Sequence, residues 1–205
     1  RRVLFRSNSN DDCFYVDYIN FYRQPEATIA GMTYDFESGM QGWTTIDADG
    51  DGFNWMLGSE LMGTGYGHNG SSDVVLSQSY SNNYGALTPD NYLVSPQVNL
   101  GGSIHFYACA QDADWAAEHF GVAVSTTSNT NASAFTTIQE WTMAAKGTGA
   151  PTDHTRSGSR AQGTWYEYTV DLSAYSGMGY VAIRHFNCTD WFYLDIDDVT
   201  IVEGS

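Results

Sequence analysis

The stretch Asp47-Ala48-Asp49-Gly50-Asp51-Gly52 sets a carboxylate at every second position and a glycine after two of them. Calcium takes six to eight hard oxygens in a flexible shell, and Asp-x-Asp-x-Asp-Gly is how the EF-hand loop supplies its first three ligands and its sharp turn. Asp47, Asp49 and Asp51 match those ligand positions and Gly52 matches the turn. The bidentate Glu that closes such a loop is missing, because Gly58 stands in its place, and a helical EF-hand is excluded. The remaining oxygens would have to come from distant parts of the chain. Glu37, next to the apolar Phe36, and Asp197 and Asp198, near the C-terminus, are the candidates. Two carboxylates about 4 Å apart repel by roughly 4 kcal/mol at an effective dielectric of 20, so a group of four or five needs a cation or raised pKa values. The competing reading is a solvated acidic turn, with Glu37 and Asp198 in salt bridges or hydrogen-bonded turns.

Other chemistries find less support. Asp195 and Asp197 share one face of a strand, as the acids of sandwich-fold glycoside hydrolases do, but those enzymes use glutamates that this segment lacks. His68, His105, His119, His154 and His185 show no His-Glu-x-x-His spacing and read as packing or surface residues. No Gly-x-Ser-x-Gly elbow and no phosphate-cradling loop with its Lys occurs. Cys13, Cys109 and Cys188 match no zinc spacing. Cys109 and Cys188 follow or occupy apolar strands, which suits two buried thiols and leaves a Cys109–Cys188 disulfide open.

Two Gly-, Asn- and Asp-rich loops carry isolated aromatics, Tyr66 within residues 58–73 and Trp115 within 110–121. Exposed aromatics among polar groups stack on sugars or anchor protein contacts. The alternative for Trp115 is a cap on the core, and Asp112 with Asp114 offers a second calcium candidate. Residues 146–164 form a Gly/Ser-rich stretch containing Lys146, Arg156 and Arg160 that reads as a long excursion between strands.

The elements that must position these groups are strands. Aromatics reach 15%, charged residues only 16%, and Gly 21 accompanies abundant Ser, Thr and Asn, a profile of short strands and tight turns. Runs such as 165–172 alternate strictly, with Trp165, Glu167, Thr169 and Asp171 on one face and Tyr166, Tyr168, Val170 and Leu172 on the core face. Regular strands without helical periods predict an all-β, jelly-roll β-sandwich of two antiparallel sheets. In that fold the first and last strands neighbour each other, which would bring Glu37 and Asp197 or Asp198 toward the acidic turn.

A net charge of −16 with eight Lys and Arg excludes a polyanion-binding surface, so nucleic acid and anionic membrane are not expected partners. No apolar run approaches the roughly 20 residues of a membrane-spanning helix. Residues 1–7 read as an artefact of sequencing or translation. Residues 10–23 resemble 189–203, both ending in an acidic, aromatic strand, so 8–23 reads as the C-terminal remnant of a preceding similar domain. Residues 24–33 then form a linker, and 34–203 a complete domain.

The order "FESG", "GWTTIDADGDGFNW", "PDNYLVSPQVNL" and "YVAIRHFNCTDWFYLDIDDVTI" resembles the cleaved-adhesin family, also called choice-of-anchor J domains, which occurs in gingipain-type surface proteins of Bacteroidetes. The resemblance covers nearly all of 34–202. It implies a calcium-containing (Ca2+) jelly roll, secreted or displayed at the cell surface, often in tandem, and binding rather than catalytic. The expected partners are a host surface or matrix protein or glycan and neighbouring domains of the same chain. The alternative is an accessory carbohydrate-binding or spacer domain of a larger peptidase or glycoside hydrolase.

Overall fold

Alternation along Ser103–Ala110 decides which side of a sheet faces the core: Ile104, Phe106 and Ala108 are fully buried, and Ser103, His105 and Tyr107 point the other way. The same logic builds fourteen strands in the computed structural model, which describes residues 31–143 and 162–205. They are β1 (Met32–Tyr34), β2 (Thr44–Asp47), β3 (Met56–Leu57), β4 (Val75–Gln78), β5 (Tyr80–Ser81), β6 (Gly85–Ala86) and β7 (Asp90–Val94). Then come β8 (Val98–Leu100), β9 (Ser103–Ala110), β10 (His119–Ser125), β11 (Thr136–Thr142), β12 (Tyr166–Asp171), β13 (Gly177–Phe186) and β14 (Tyr193–Val202). Only short 3-10 turns interrupt them among the described residues. The readings made for residues 1–30 and for most of the 146–164 stretch lie outside the described residues.

One antiparallel sheet runs β12-β9-β14-β4-β3, with β1 joining β14, and the other runs β11-β10-β13-β7-β2, with β8 joining β13. A small β5-β6 hairpin stands apart. This is the expected jelly-roll sandwich. Its core interleaves Ile104, Phe106, Ile196 and Val199 of the first sheet with Leu93, Phe120, Val122 and Ile183 of the second. Phe106 stacks on Tyr168 at 5.4 Å and meets Phe120 edge-on at 6.2 Å, geometries that add to the burial of the rings themselves.

The two longest strands, β13 and β14, follow each other in sequence yet lie in different sheets. Each carries two short partners along one edge. For β14 these are β4 and then β1, and the expected neighbouring of first and last strands is realised: Tyr34 pairs with Val199 and Met32 with Ile201. Met32 and Thr33 are therefore part of the sandwich, two residues ahead of the boundary expected at Tyr34. Gly31 lies so close to this strand that an added Cβ would sit 2.5 Å from the Ile201 carbonyl oxygen.

A bulge separates the two halves of β14. Asp197 pairs with Tyr107 and Thr200 with His105, so Asp198 is the extra residue, and its backbone is left-handed at φ 47°. The insertion preserves burial: Leu194 and Ile196 face the core before it, Val199 and Ile201 after it. Asp195 and Asp197 lie on the other face, covered by loops rather than by the second sheet.

Candidate functional site

The acidic turn begins where β2 ends at the edge of the second sheet. Asp47 accepts the amides of Gly50 (2.8 Å) and Gly52 (3.0 Å), one on each oxygen, and Asp51 accepts that of Phe53 (2.7 Å). Gly50 and Gly52 have φ of 73° and 85°, a region glycine enters without a Cβ penalty. Asp49 reaches across to the Asp90 amide at 3.3 Å, and Ala48 donates to the Asp90 carbonyl. Asp90 in turn is held by a two-pronged ion pair with Arg184, 2.7 and 2.8 Å.

With the loop so fixed, one oxygen from each of Asp47, Asp49 and Asp51 lies within 4.8 Å of the others. Partial burial and then the charges of Asp51 and Asp47 push the Asp49 carboxyl above its ordinary range, opposed by the Asp90 amide. Three crowded oxygens on a fixed backbone can ligate a hard divalent cation.

Glu37, Asp197 and Asp198 stand outside that group, and the single point of convergence expected from the sequence divides in two. The reason is the covering loop between β3 and β4. Glu37 accepts the Asp73 amide at 2.7 Å, and Asp197 accepts the His68 amide (2.7 Å) and the Ser71 hydroxyl (2.8 Å). His68 Nδ1 lies 2.8 Å from Asp198 Oδ2, and its ring stacks on Tyr107 at 3.8 Å. The loop approaches closely because residue 67 is glycine: a Cβ there would meet Ser71 Oγ, the Asp73 carbonyl at 2.5 Å and Asp197 Oδ2 at 2.8 Å. Burial raises the Asp197 carboxyl to about 6 against the pull of its three hydrogen bonds. Asp195, wholly buried beside Gln162, is pushed well above the carboxylate range. Through these bonds the loop ties Glu37, just after β1, to the last strand, and Glu37, Asp197 and Asp198 do not join a group of three metal-ligating residues among the described ones.

Tyr66 is half-buried, and its carbonyl accepts from Gln162 at 2.8 Å. Trp115 packs against Trp191 at 6.3 Å and onto the satellite cluster of Leu76, Phe192 and Tyr193, which is separate from the main core. Asp112 is wholly buried and accepts the Asp114 amide, and neither joins a group of three metal-ligating residues. The exposed aromatic that sequence reading passed over is Tyr84, 76% accessible, which meets Phe53 edge-on at 5.4 Å just beyond the acidic turn. Its signal was present in "SNNYG", the same polar, glycine-rich setting that singled out Tyr66. Cys109 and Cys188 are both free thiols, so the disulfide left open by the sequence is not formed. Burial raises both far above the ordinary thiol range.

An all-antiparallel sandwich with grouped carboxylates and aromatics on its connecting loops defines a jelly-roll module. The Cleaved Adhesin Domain model matches residues 31–201, and the chain belongs to that family. Hemagglutinin A of Porphyromonas gingivalis is 44% identical over 177 residues, 85% of this chain, and Gingipain R1 of the same species is 47% identical over 175 residues, 83% of it. This chain spans only 7% and 10% of those two proteins' lengths. The crystal structure of the K3 cleaved adhesin domain of Lys-gingipain from P. gingivalis superposes with a TM-score of 0.72 at 44% identity, covering 85% of this chain and 98% of that one. The K1 domain gives 0.71 at 43%, with the same coverage.

Proposed function

We propose that this chain is a non-catalytic, calcium-stabilised adhesion module of a multidomain secreted or cell-surface bacterial protein, binding a host protein or glycan through its loops. The observation that carries the reading is family membership across the whole sandwich, shared with proteins named hemagglutinin, a name that describes attachment to red-cell surfaces. The Glu37, Asp197 and Asp198 oxygens bond the 58–74 loop, whereas Asp47, Asp49 and Asp51 would hold Ca2+, completed by backbone and water oxygens. Calcium there would neutralise carboxylates that otherwise repel, and would lock the loops that carry Phe53 and Tyr84. The ring pair beside the acidic turn is a fitting platform for a sugar face or an apolar protein contact.

Thermal melts test the metal. Saturation at about 100 times Kd adds about 2.7 kcal/mol, a rise in Tm of roughly 5–10 °C for a domain of this size. Identical melts in EDTA and in calcium would remove the metal from the proposal. A glycan-array and matrix-protein screen, with and without calcium, tests adhesion, and calcium-independent silence on both would leave only the family likeness.

The second reading, an accessory or spacer domain of a larger peptidase, is favoured by relatives named Lys-gingipain and Gingipain R1, of which the matched region is about a tenth. Fusing the chain to an unrelated reporter separates the two: an adhesion module transfers binding, and a spacer does not.

A further inference from the structure

At one end of the sandwich, where the chain crosses from β9 to β10 and from β13 to β14, Glu118, His185 and Cys188 bring a carboxylate oxygen, an imidazole nitrogen and a sulfur within 4.8 Å of one another. Glu118 and His185 are completely buried, and Cys188 is half-buried. His185 Nε2 is 2.9 Å from Glu118 Oε2, and Cys188 Sγ is 3.3 Å from that nitrogen and 3.5 Å from that oxygen. An ion bonded at zinc distances, about 2.0–2.1 Å to N and O and about 2.3 Å to S, with tetrahedral angles, needs N···O of about 3.3 Å and S···N and S···O of about 3.5 Å. The observed triangle matches one face of that tetrahedron to within about 0.4 Å.

The atoms not in the triangle are held from behind. His185 Nδ1 bonds the Ser77 hydroxyl at 2.8 Å, and Ser77 is itself fixed by the Asn91 side-chain amide at 3.2 Å. Glu118 Oε1 accepts the Ser79 hydroxyl (2.8 Å) and the Phe192 amide (2.7 Å). With the Nδ1 proton given to Ser77, Nε2 presents its lone pair toward Oε2 and Sγ. Such outer partners fix tautomer and orientation in metal sites. Cys188 also lines a pocket of about 350 Å³ with Thr88, Pro89, Asn187 and Thr189, which provides a route from solvent.

We propose that Glu118, His185 and Cys188 form a site for a borderline-soft divalent cation of the zinc class, with water as the fourth ligand. A carboxylate and a thiolate supply two negative charges that such an ion neutralises, and the Cys188 thiol proton leaves to solvent as the metal–sulfur bond forms. The donor set separates this site from the acidic turn: nitrogen and sulfur suit zinc, whereas calcium wants several oxygens. The proposal is independent of the adhesive reading and of the calcium proposed at the acidic turn.

The test uses the whole chain in a Cys13→Ser background, reduced, stripped by chelator and kept in excess Ca2+ so that oxygen sites are filled. Titration with Co2+ should give, at one equivalent, the near-ultraviolet thiolate-to-cobalt absorption, and Zn2+ should abolish it. The band should persist in Cys109→Ser and vanish in Cys188→Ser. Absence of the band, or its survival in Cys188→Ser, overturns the site. A second measurement needs no variant at position 188. Saturating Zn2+ should slow alkylation of Cys188, followed by mass spectrometry, by about tenfold or more, since only the metal-free fraction reacts. Equal rates with and without Zn2+ would also overturn it.

Discussion

Asp49 is a residue whose two roles have opposite signs. It adds a third negative charge to a turn already holding Asp47 and Asp51, and its carboxyl is raised, by partial burial first and by the Asp51 charge after it. Without a cation that is a mild liability, and with the proposed calcium it would be a ligand. Asp49→Asn should therefore leave the Tm in EDTA unchanged or slightly higher, within the about 0.5 kcal/mol typical of surface changes. The same substitution should weaken calcium binding by about 10–100-fold, the range seen when a supporting group is lost from a metal site. Calorimetric titration and melts on one pair of proteins check both signs, and a variant that binds calcium as tightly as its parent would remove Asp49 from the shell. Asp47 differs: both of its oxygens brace the turn's amides, so its replacement should also loosen the turn in EDTA. At this scale the types and spacing of Asp47, Asp49 and Asp51 were legible because all three carboxylates lie within one local turn. The partners of Glu37 and Asp197 were not, because the loop that contacts them belongs to another stretch of chain.

Strand β14 shows what an element can encode by breaking its own rule. Apolar residues fall at 194 and 196, then at 199 and 201, a change of parity at the paired aspartates. A regular strand would turn one half outward. The bulge at Asp198 absorbs the slip, aims its carboxylate at His68, and lets β4 end and β1 begin along one edge. Deleting Asp198 restores a continuous period of two, so Val199 and Ile201 should still face the core, and the loss should be about 1–3 kcal/mol, that of the partner taken from His68. Asp198→Gly, which accepts the left-handed backbone, should cost about 1 kcal/mol or less. Urea denaturation measures both, and a loss of about 3–6 kcal/mol on deletion would mean that two apolar side chains had turned outward, so that Asp198 is not the extra residue. The strand pattern of 90–110 and 165–202 was readable in sequence because inward positions alternate at period two. The short β6 and the start of β1 were not, since two or three residues carry too little periodicity to outweigh turn-forming neighbours.

The whole sandwich holds its tyrosines neutral. Tyr168 is raised to about 12 by burial and then by Tyr166, and Tyr193 to about 12 by burial and then by Asp195. For each, the folded value lies above the unfolded one near 10, so the folded chain keeps its proton longer. Their contribution is fully present below pH 10 and is lost as pH rises toward 12. Tyrosinate absorbance should thus show an early group of exposed tyrosines, followed by a late group that titrates together with loss of near-ultraviolet circular dichroism. If all tyrosines ionised near pH 10 while the fold persisted, these rings would not be buried as described. Phe106, packed between both sheets, should be worth about 3–5 kcal/mol as Phe106→Ala.

By itself the sequence determined the class of fold and the local oxygen-rich turn, because both follow from short-range regularities: alternation of apolar residues, glycines that permit a turn, and carboxylates two positions apart. The resemblance that placed it in its family rested on similarly short motifs in order. Only the tertiary structure decided which distant groups meet. It placed Asp197 under the 58–74 loop instead of at the acidic turn, kept Cys109 and Cys188 apart, and brought Glu118 to His185 and Cys188 from a separate crossing between the sheets. Such meetings depend on how two sheets are stacked and joined, and contacts between residues tens of positions apart leave no period in the chain.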